Sequence, residues 1–303
     1  AWAVPDLLSS WQHSRIAIGM AATVVLAAFG ISAHSQVSHW KDSVSLFTHA
    51  IEAVPDNHIA HNNRGVVYNE MGRWEEAAED FRQAIRIKPD YGEAYNNLGN
   101  ALASLGRLQE ALDAQKRAIE LKPGYAEARF NLGMTYIRLG RSEEAIESFR
   151  RALEISQTNP QLYYSIANEF AGLSLYDEAA QQYRIALRLY PNWPDCMNNL
   201  ASIIATYPQL KDRNVDEAID LALRACSATE YKNPVYVGTL AAAYAAAGRF
   251  LEAIDTANMA LSLADVAGQP QLKKVIERHL SFYVQGKAYT VPGPALQTEP
   301  EKP

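Results

Sequence analysis

GEAYNNLGNALASLGRLQEALDAQKRAIELKPGY, residues Gly92 to Tyr125, is one period of a pattern that runs through most of this 303-residue chain. Small residues stand at Gly65, Gly99 and Gly133, at Ala77, Ala111 and Ala145, and at Ala84, Ala118 and Ala152, each column stepping by 34. An integer period held over many units belongs to stacked-repeat architectures, in which no unit buries its apolar face alone. Within the period the apolar positions fall three and four apart in two runs, Tyr95 to Leu105 and Leu108 to Leu121, which predicts two amphipathic helices. Gly106 marks the turn between them, and Pro89 and Pro123, lacking an amide hydrogen, close the second helix before the next unit begins.

Read as W/Y-x2-L-G/A-x2-Y followed by A, F, A and P, these residues resemble the tetratricopeptide repeat. The first full unit carries the match most completely, with Gly65, Tyr68, Gly72, Trp74, Ala77, Phe81, Ala84 and Pro89 in register. Gly or Ala at the eighth place is expected to let the first helix lie against the Ala at the twentieth, and the Ala at the twenty-seventh to admit the following repeat. The resemblance implies an all-α, right-handed superhelical solenoid of about six full repeats and one half repeat, to which the apolar run and the last amphipathic stretch add an N-terminal transmembrane helix and a C-terminal capping helix.

Outward from that period, the chain opens with 1–15, where Trp2, Leu7, Leu8 and Trp11 suit a membrane interface. It starts at Ala1 without a methionine, and we expect a fragment. Ile16 to Ala33 then runs 18 residues without a charge, about 27 Å at about 1.5 Å per residue. We assign a transmembrane helix to 16–36, ahead of a cleaved signal peptide, for which the apolar run is long and its exit poor. A buried soluble helix is the third reading, weakened by the absence of a polar face.

The segment 39–57 aligns Trp40, Phe47, Ala50, Ile51, Pro55 and Asp56 with Trp74, Phe81, Ala84, Ile85, Pro89 and Asp90, so it reads as a half repeat joined to the membrane with almost no linker. The repeat domain follows over 58–267. In its fifth unit Ala218 arrives five residues late, which makes 207–214 an inserted loop between two helices. A capping segment occupies 268–286, with Leu272, Val275, Ile276, Leu280 and Tyr283 on one side of a helix. The tail 287–303, rich in Pro and polar residues, is expected to be disordered. Cys196 and Cys226 sit at the same end of an antiparallel hairpin, where they would pair in an oxidising compartment or remain two buried thiols.

Composition narrows the function classes. Net charge is −6 with 20% charged and 48% apolar residues, and nothing resembles the basic stripes of nucleic-acid binders. There is no Gly-rich phosphate loop, no His-Glu-x-x-His and no Gly-x-Ser-x-Gly, so no catalysis, cofactor or small-molecule substrate is expected. His58 and His61 stand three apart but find no Cys, Asp or Glu placed in sequence to complete a metal set. Glu75, Glu76, Glu143 and Glu144 fall in first helical turns, where acidic residues suit the helix dipole.

Two function classes remain. One is a membrane-tethered scaffold holding a partner protein or extended peptide in a concave groove. The other is a non-catalytic tail presenting substrate to a polytopic glycosyltransferase. The junction of Trp11, the apolar span and Trp40-Lys-Asp-Ser is similar to transmembrane-and-tetratricopeptide O-mannosyltransferases, which implies such a body upstream and repeats on the periplasmic side of a bacterial inner membrane. The lipid bilayer is then a second partner through Ile16–Ala33. Carried over place by place, the family's geometry puts Asn62, Asn63, Glu93, Asn96, Asn97, Asn100, Glu127, Phe130, Asn131, Met134, Gln161, Tyr164, Asn168, Asn198 and Asn199 in the groove. Asparagine offers a donor pair and an acceptor together, so a row of them suits a peptide backbone of varied sequence. The competing reading is that the column Asn63, Asn97, Asn131 and Asn199 ties neighbouring helices together, while Asn96, Asn100 and Asn168 have less structural purpose.

Overall fold

The computed structural model describes residues 42–291. Among the described residues there is no strand, and fourteen α-helices follow one another. They are α1 (Ser43–Ala53), α2 (His58–Glu70), α3 (Trp74–Ile87), α4 (Gly92–Ser104), α5 (Leu108–Leu121), α6 (Ala126–Arg138) and α7 (Ser142–Ile155). The second half comprises α8 (Pro160–Gly172), α9 (Tyr176–Leu189), α10 (Pro194–Thr206), α11 (Val215–Ala228), α12 (Pro234–Ala246), α13 (Phe250–Val266) and α14 (Pro270–Tyr283). The expected span 16–36, the segment before it and the tail beyond Val291 lie outside the described residues, and no described helix is long and apolar enough to cross a membrane.

The helices divide into two compact units, one ending at Leu139 and the other beginning at Gly140. From α2 to α13 the even-numbered helix is the first of a repeat and the odd-numbered helix the second, and α14 follows alone. Local chemistry sets the ends. Asn57, Asn159 and Asn233 cap α2, α8 and α12 by accepting from amides two or three residues on, and Pro opens α8, α10, α12 and α14, where its missing donor is harmless. Between the two helices of a repeat the chain must enter the left-handed region, which Gly72, Gly106, Gly140 and Gly248 do at φ of 72–78°. In the fourth repeat Ser174 takes this place at φ 60°.

Packing within each repeat explains the alanine columns. Ala77, Ala111, Ala145, Ala179, Ala218 and Ala253 are all fully buried, as helices approaching this closely require. At the eighth place Gly99 does lie against the twentieth-place alanine, a Cβ there standing 3.2 Å from Ala111 O, but the nearest neighbour of both Gly65 and Gly99 is the twenty-fourth-place side chain. A Cβ on Gly65 would stand 2.7 Å from Phe81 Cε1, and one on Gly99 would stand 2.5 Å from Gln115 Cγ. The twenty-fourth place therefore fills the hollow that the glycine leaves. In unit 1, Phe81 joins Ala77, Ala78, Leu98, Leu102 and Ala111 in one apolar cluster.

The inserted loop between α10 and α11 is pinned. Lys211 N donates to Asp177 Oδ1 (2.7 Å) and Arg184 Nη2 to Asp212 O (3.3 Å), while Tyr207 and Leu210 are buried. Cys196 and Cys226 are separate free thiols, both fully buried, so the alternative of two unpaired thiols holds. Cys196 Sγ–H donates to Tyr183 O, and burial pushes the two thiols up to about 12 and about 11.

Candidate functional site

The residues expected to line a groove all sit on first helices of repeats, but they divide sharply by burial. Asn62, Asn96 and Asn198, at the fifth place, are 6%, 0% and 7% exposed. Asn63, Asn97, Asn131 and Asn199, at the sixth, are half-buried, as are Glu93, Asn100, Phe130, Met134, Tyr164 and Asn168; Glu127 and Gln161 are exposed. Successive residues on a helix point about 100° apart, so only one of two adjacent places can face outward.

The buried and half-buried columns are joined by a ladder. Asn97 Nδ2 donates to Asn62 Oδ1 (3.1 Å) and Asn131 Nδ2 to Asn96 Oδ1 (3.0 Å). In unit 2, Asn199 Nδ2 donates to Tyr164 OH (3.4 Å) and Asn168 Oδ1 (3.1 Å). The bonds to Asn62, Asn96 and Tyr164 run from the sixth place of one repeat to the fifth place of the repeat before it, while the bond to Asn168 reaches the ninth place of that repeat. Asn96 also donates to Tyr125 OH at 3.5 Å, and burial raises the Tyr125 phenol to about 12.

The ninth place also corrects the reading, because Asn100 and Asn168 do have internal partners. Gln115 Nε2 donates to Asn100 Oδ1 (3.3 Å), and Tyr183 OH to Asn168 Oδ1 (2.5 Å). Both donors occupy the twenty-fourth place, which is Phe81 in the first full repeat, where the ninth place is the apolar Val66. Sequence reasoning missed Gln115 and Tyr183; Gln115, standing between Phe81 and Phe149 in its column, is a visible signal, whereas Tyr183 is one more aromatic residue.

The amides are not exhausted by these bonds. Asn97 Oδ1, Asn131 Oδ1 and Asn100 Nδ2 have no partner among the described residues. Their side chains are half-exposed on one face of α4 and α6. That face can therefore offer an acceptor, a donor and a second acceptor without breaking a rung. Glu93 beside it is tied to Lys122 Nζ at 2.7 Å, which holds its carboxyl below the usual carboxylate range.

The two histidines part company. His58 packs edge-on to Tyr91 with ring centroids 5.3 Å apart. His61 bonds through Nδ1 to Asp80 Oδ1 at 3.0 Å, so a carboxylate does stand beside it, brought from α3 by the fold. Arg64 claims that carboxylate with Nε at 2.7 Å and Nη2 at 2.8 Å, and its Nη1 donates to Thr48 of α1 at 3.1 Å. Among the described residues no group of His, Cys, Asp and Glu is placed to hold a metal.

Unit 2 carries aromatic packing on the same side of its repeats. Tyr164 lies 4.4 Å from Trp193 and 5.9 Å from Tyr183 by ring centroids, and Tyr163 is buried. Tyr236 OH donates to Asp195 Oδ1 at 2.5 Å. These contacts knit α8, α9, α10 and α12 together.

A place-by-place chemistry repeated on paired helices defines an all-α helical-repeat protein. The tetratricopeptide repeat family model matches residues 56–123 and, in a second overlapping register, 93–158; over 56–158 the chain is similar to tetratricopeptide repeats. Among solved structures, the APC/C hetero-tetramer Cut9–Hcn1 is 20% identical with a TM-score of 0.54 over 79% of this chain and 46% of its own, which extends the helical-repeat fold beyond the matched segment. MamA is 29% identical over 49% of this chain and 86% of its own, with a TM-score of 0.42. YrrB, described as a TPR protein with an unusual peptide-binding site, is 22% identical over 61% of this chain and 97% of its own, with a TM-score of 0.44. No curated protein matches the sequence.

Proposed function

We propose that this chain is a non-catalytic interaction scaffold that holds an extended peptide, or an extended segment of a protein, against the first-helix face of unit 1. The observation that carries this reading is the half-used amide row. Asn97, Asn100 and Asn131 each spend one polar atom on an internal bond and turn the other toward solvent. Alternating donors and acceptors held by a rigid ladder match a backbone's own N–H and C=O groups, and they do not read its side chains. The Asn63 amide of α2 continues the row, its Oδ1 accepting from Asn62 at 3.4 Å. A tetratricopeptide protein whose description names a peptide-binding site, YrrB, is consistent with this use of the fold.

The tether belongs to the same proposal. Ile16–Ala33 anchors the scaffold in a bilayer, and the repeats then stand on the periplasmic side of a bacterial inner membrane. In fractionation the full chain should stay with membranes through high salt and alkaline wash; release at full length refutes the anchor.

The groove is tested by substitutions that spare the ladder. Asn63→Asp with Asn100→Asp keeps both acceptor oxygens for Asn62 and Gln115, and replaces only the outward-facing donors. Binding is read by amide shifts in α2, α4 and α6 on titration with a mixed-sequence library of blocked decapeptides. The expected result is saturable shifts on these helices, weakened about tenfold, or 1.4 kcal/mol, in the double variant. Shifts that are absent, or indifferent to the substitutions, sink the reading.

A further inference from the structure

The fifth-place column reads Asn62, Asn96, Phe130, Tyr164, Asn198 and then Gly238. Five repeats place a substantial side chain there; the last places none. Glycine in a helix interior is less stable than alanine, so a physical reason is needed. For Gly65 and Gly99 the reason is contact, since a Cβ would collide with Phe81 or Gln115. Gly238 has no such excuse. A Cβ there would meet only Ile276, with Cγ1 at 3.7 Å and Cδ1 at 4.0 Å, an ordinary contact.

What the missing side chain leaves is a cavity of about 140 Å³ between α10, α12 and α14. Gly238, Ala242 and Ile276 line it, and Val235 and Val275, each 44% exposed, frame its mouth. A cavity of about 150 Å³ with apolar walls accommodates benzene. One wall holds Tyr283, which is 1% exposed and whose hydroxyl has no partner among the described residues.

The chain itself shows how a backbone sits beside this cavity. After α14 it returns so that Val291 N donates to Thr206 O at 2.8 Å, Thr206 being a cavity residue at the end of α10. Tyr289 stacks on the His279 ring, which also lines the cavity, at 4.0 Å between centroids. An extended segment is thus already docked at one edge, by a main-chain bond and an aromatic ring.

We propose that this cavity is an anchor site for one leucine- or phenylalanine-sized side chain of an extended peptide. Its apolar walls take the side chain, and the extended chain on either side of it lies along the mouth framed by Val235 and Val275. The proposal rests on the reading of the chain as a peptide scaffold and adds a side-chain preference that the amide row of unit 1 lacks.

The test uses the full chain and three blocked pentapeptides of alanine with Leu, Phe or Asp at the centre. Methyl shifts of Ile276 and ring shifts of His279 report the site. The Leu and Phe peptides should give saturable shifts and the Asp peptide none. Gly238→Leu, which fills the cavity from within, should abolish the response, and Gly238→Ala should weaken it at least threefold, with both variants folded by helical circular dichroism. Shifts that persist in Gly238→Leu, or that the Asp peptide matches, overturn the proposal. Should Gly238→Leu fail to fold, Gly238→Ala decides it, an unweakened response overturning the site. Responses in α2, α4 and α6 are read in the same spectra, so loss of the amide row and loss of the cavity are separately visible.

Discussion

The first-helix faces of α4 and α12 begin from the same template and end as opposite surfaces. On α4 the fifth and sixth places are Asn96 and Asn97, one wholly buried and the other half-exposed, each bonded across to a neighbouring repeat. On α12 the same places are Gly238 and Thr239, and the ladder has given way to an apolar hollow. The difference teaches that repeat periodicity fixes where a side chain points while leaving its chemistry free. A polar rung pairs with the repeat before it, whereas an empty place leaves a hollow facing α14.

The largest effect should come from breaking a rung. Asn96→Ala removes a side chain with no exposure and strands Asn131 Nδ2 and Tyr125 OH at once. The expected loss is about 2–3 kcal/mol in urea unfolding, set by the stranded groups rather than by the bonds themselves. Asn63→Ala, on a half-exposed place, should stay within about 0.5 kcal/mol. Equal costs at the two sites would mean that burial does not separate the columns, and the contrast between ladder and surface would collapse.

Next in size is the contrast between two glycines. In Gly99→Ala the new methyl would stand 2.5 Å from Gln115 Cγ and 3.2 Å from Ala111 O, so α4 and α5 must move apart. The expected destabilisation is about 1–3 kcal/mol. Gly238→Ala adds a methyl at ordinary contact distance and should stabilise by about 0.5–1 kcal/mol through the helix propensity of alanine. Thermal unfolding of the two variants checks both signs. A loss at Gly238 would show that the hollow is needed for packing, which removes the reason to assign it a ligand.

The repeat itself was legible because 34-residue columns of Gly, Ala and Pro survive any change of surface chemistry, and the helix pairs, the turn glycines and the inserted loop all follow from them. The asparagine columns were legible as a pattern but not as a division of labour. Asn96 and Asn97 look alike in sequence, and only the 100° between successive residues and the position of the next repeat decide which is buried. Asn100 and Asn168 carry no sign in sequence of their partners, Gln115 and Tyr183, which lie fifteen residues on and reach them only once the two helices of the repeat pack. The cavity at Gly238 left no sequence signal beyond one glycine, since an unfilled volume depends on what α14 brings opposite it. His61 found its carboxylate for the same reason: Asp80 reaches it only after α2 and α3 pack.

The smallest effect concerns pH and would sharpen the comparison from the side of unit 2. Burial lowers the His279 pKa from its ordinary 6.5, and the neighbouring Arg278 charge lowers it further. The folded protein thus resists a proton that the unfolded chain accepts near 6.5, so the contribution to stability is complete above that pH and is lost as pH falls below it. Helices α4 and α5 of unit 1 contain no histidine. Amide exchange in α14 should therefore quicken between pH 7.5 and 5.5, after correction for intrinsic rates, while exchange in α4 and α5 holds steady. His279→Gln removes the titrating ring and should flatten that dependence. If α14 loosens with acid as much in the variant as in the parent, protonation of His279 is not what weakens the cap, and the Tyr289 stack on its ring bears no pH-sensitive load.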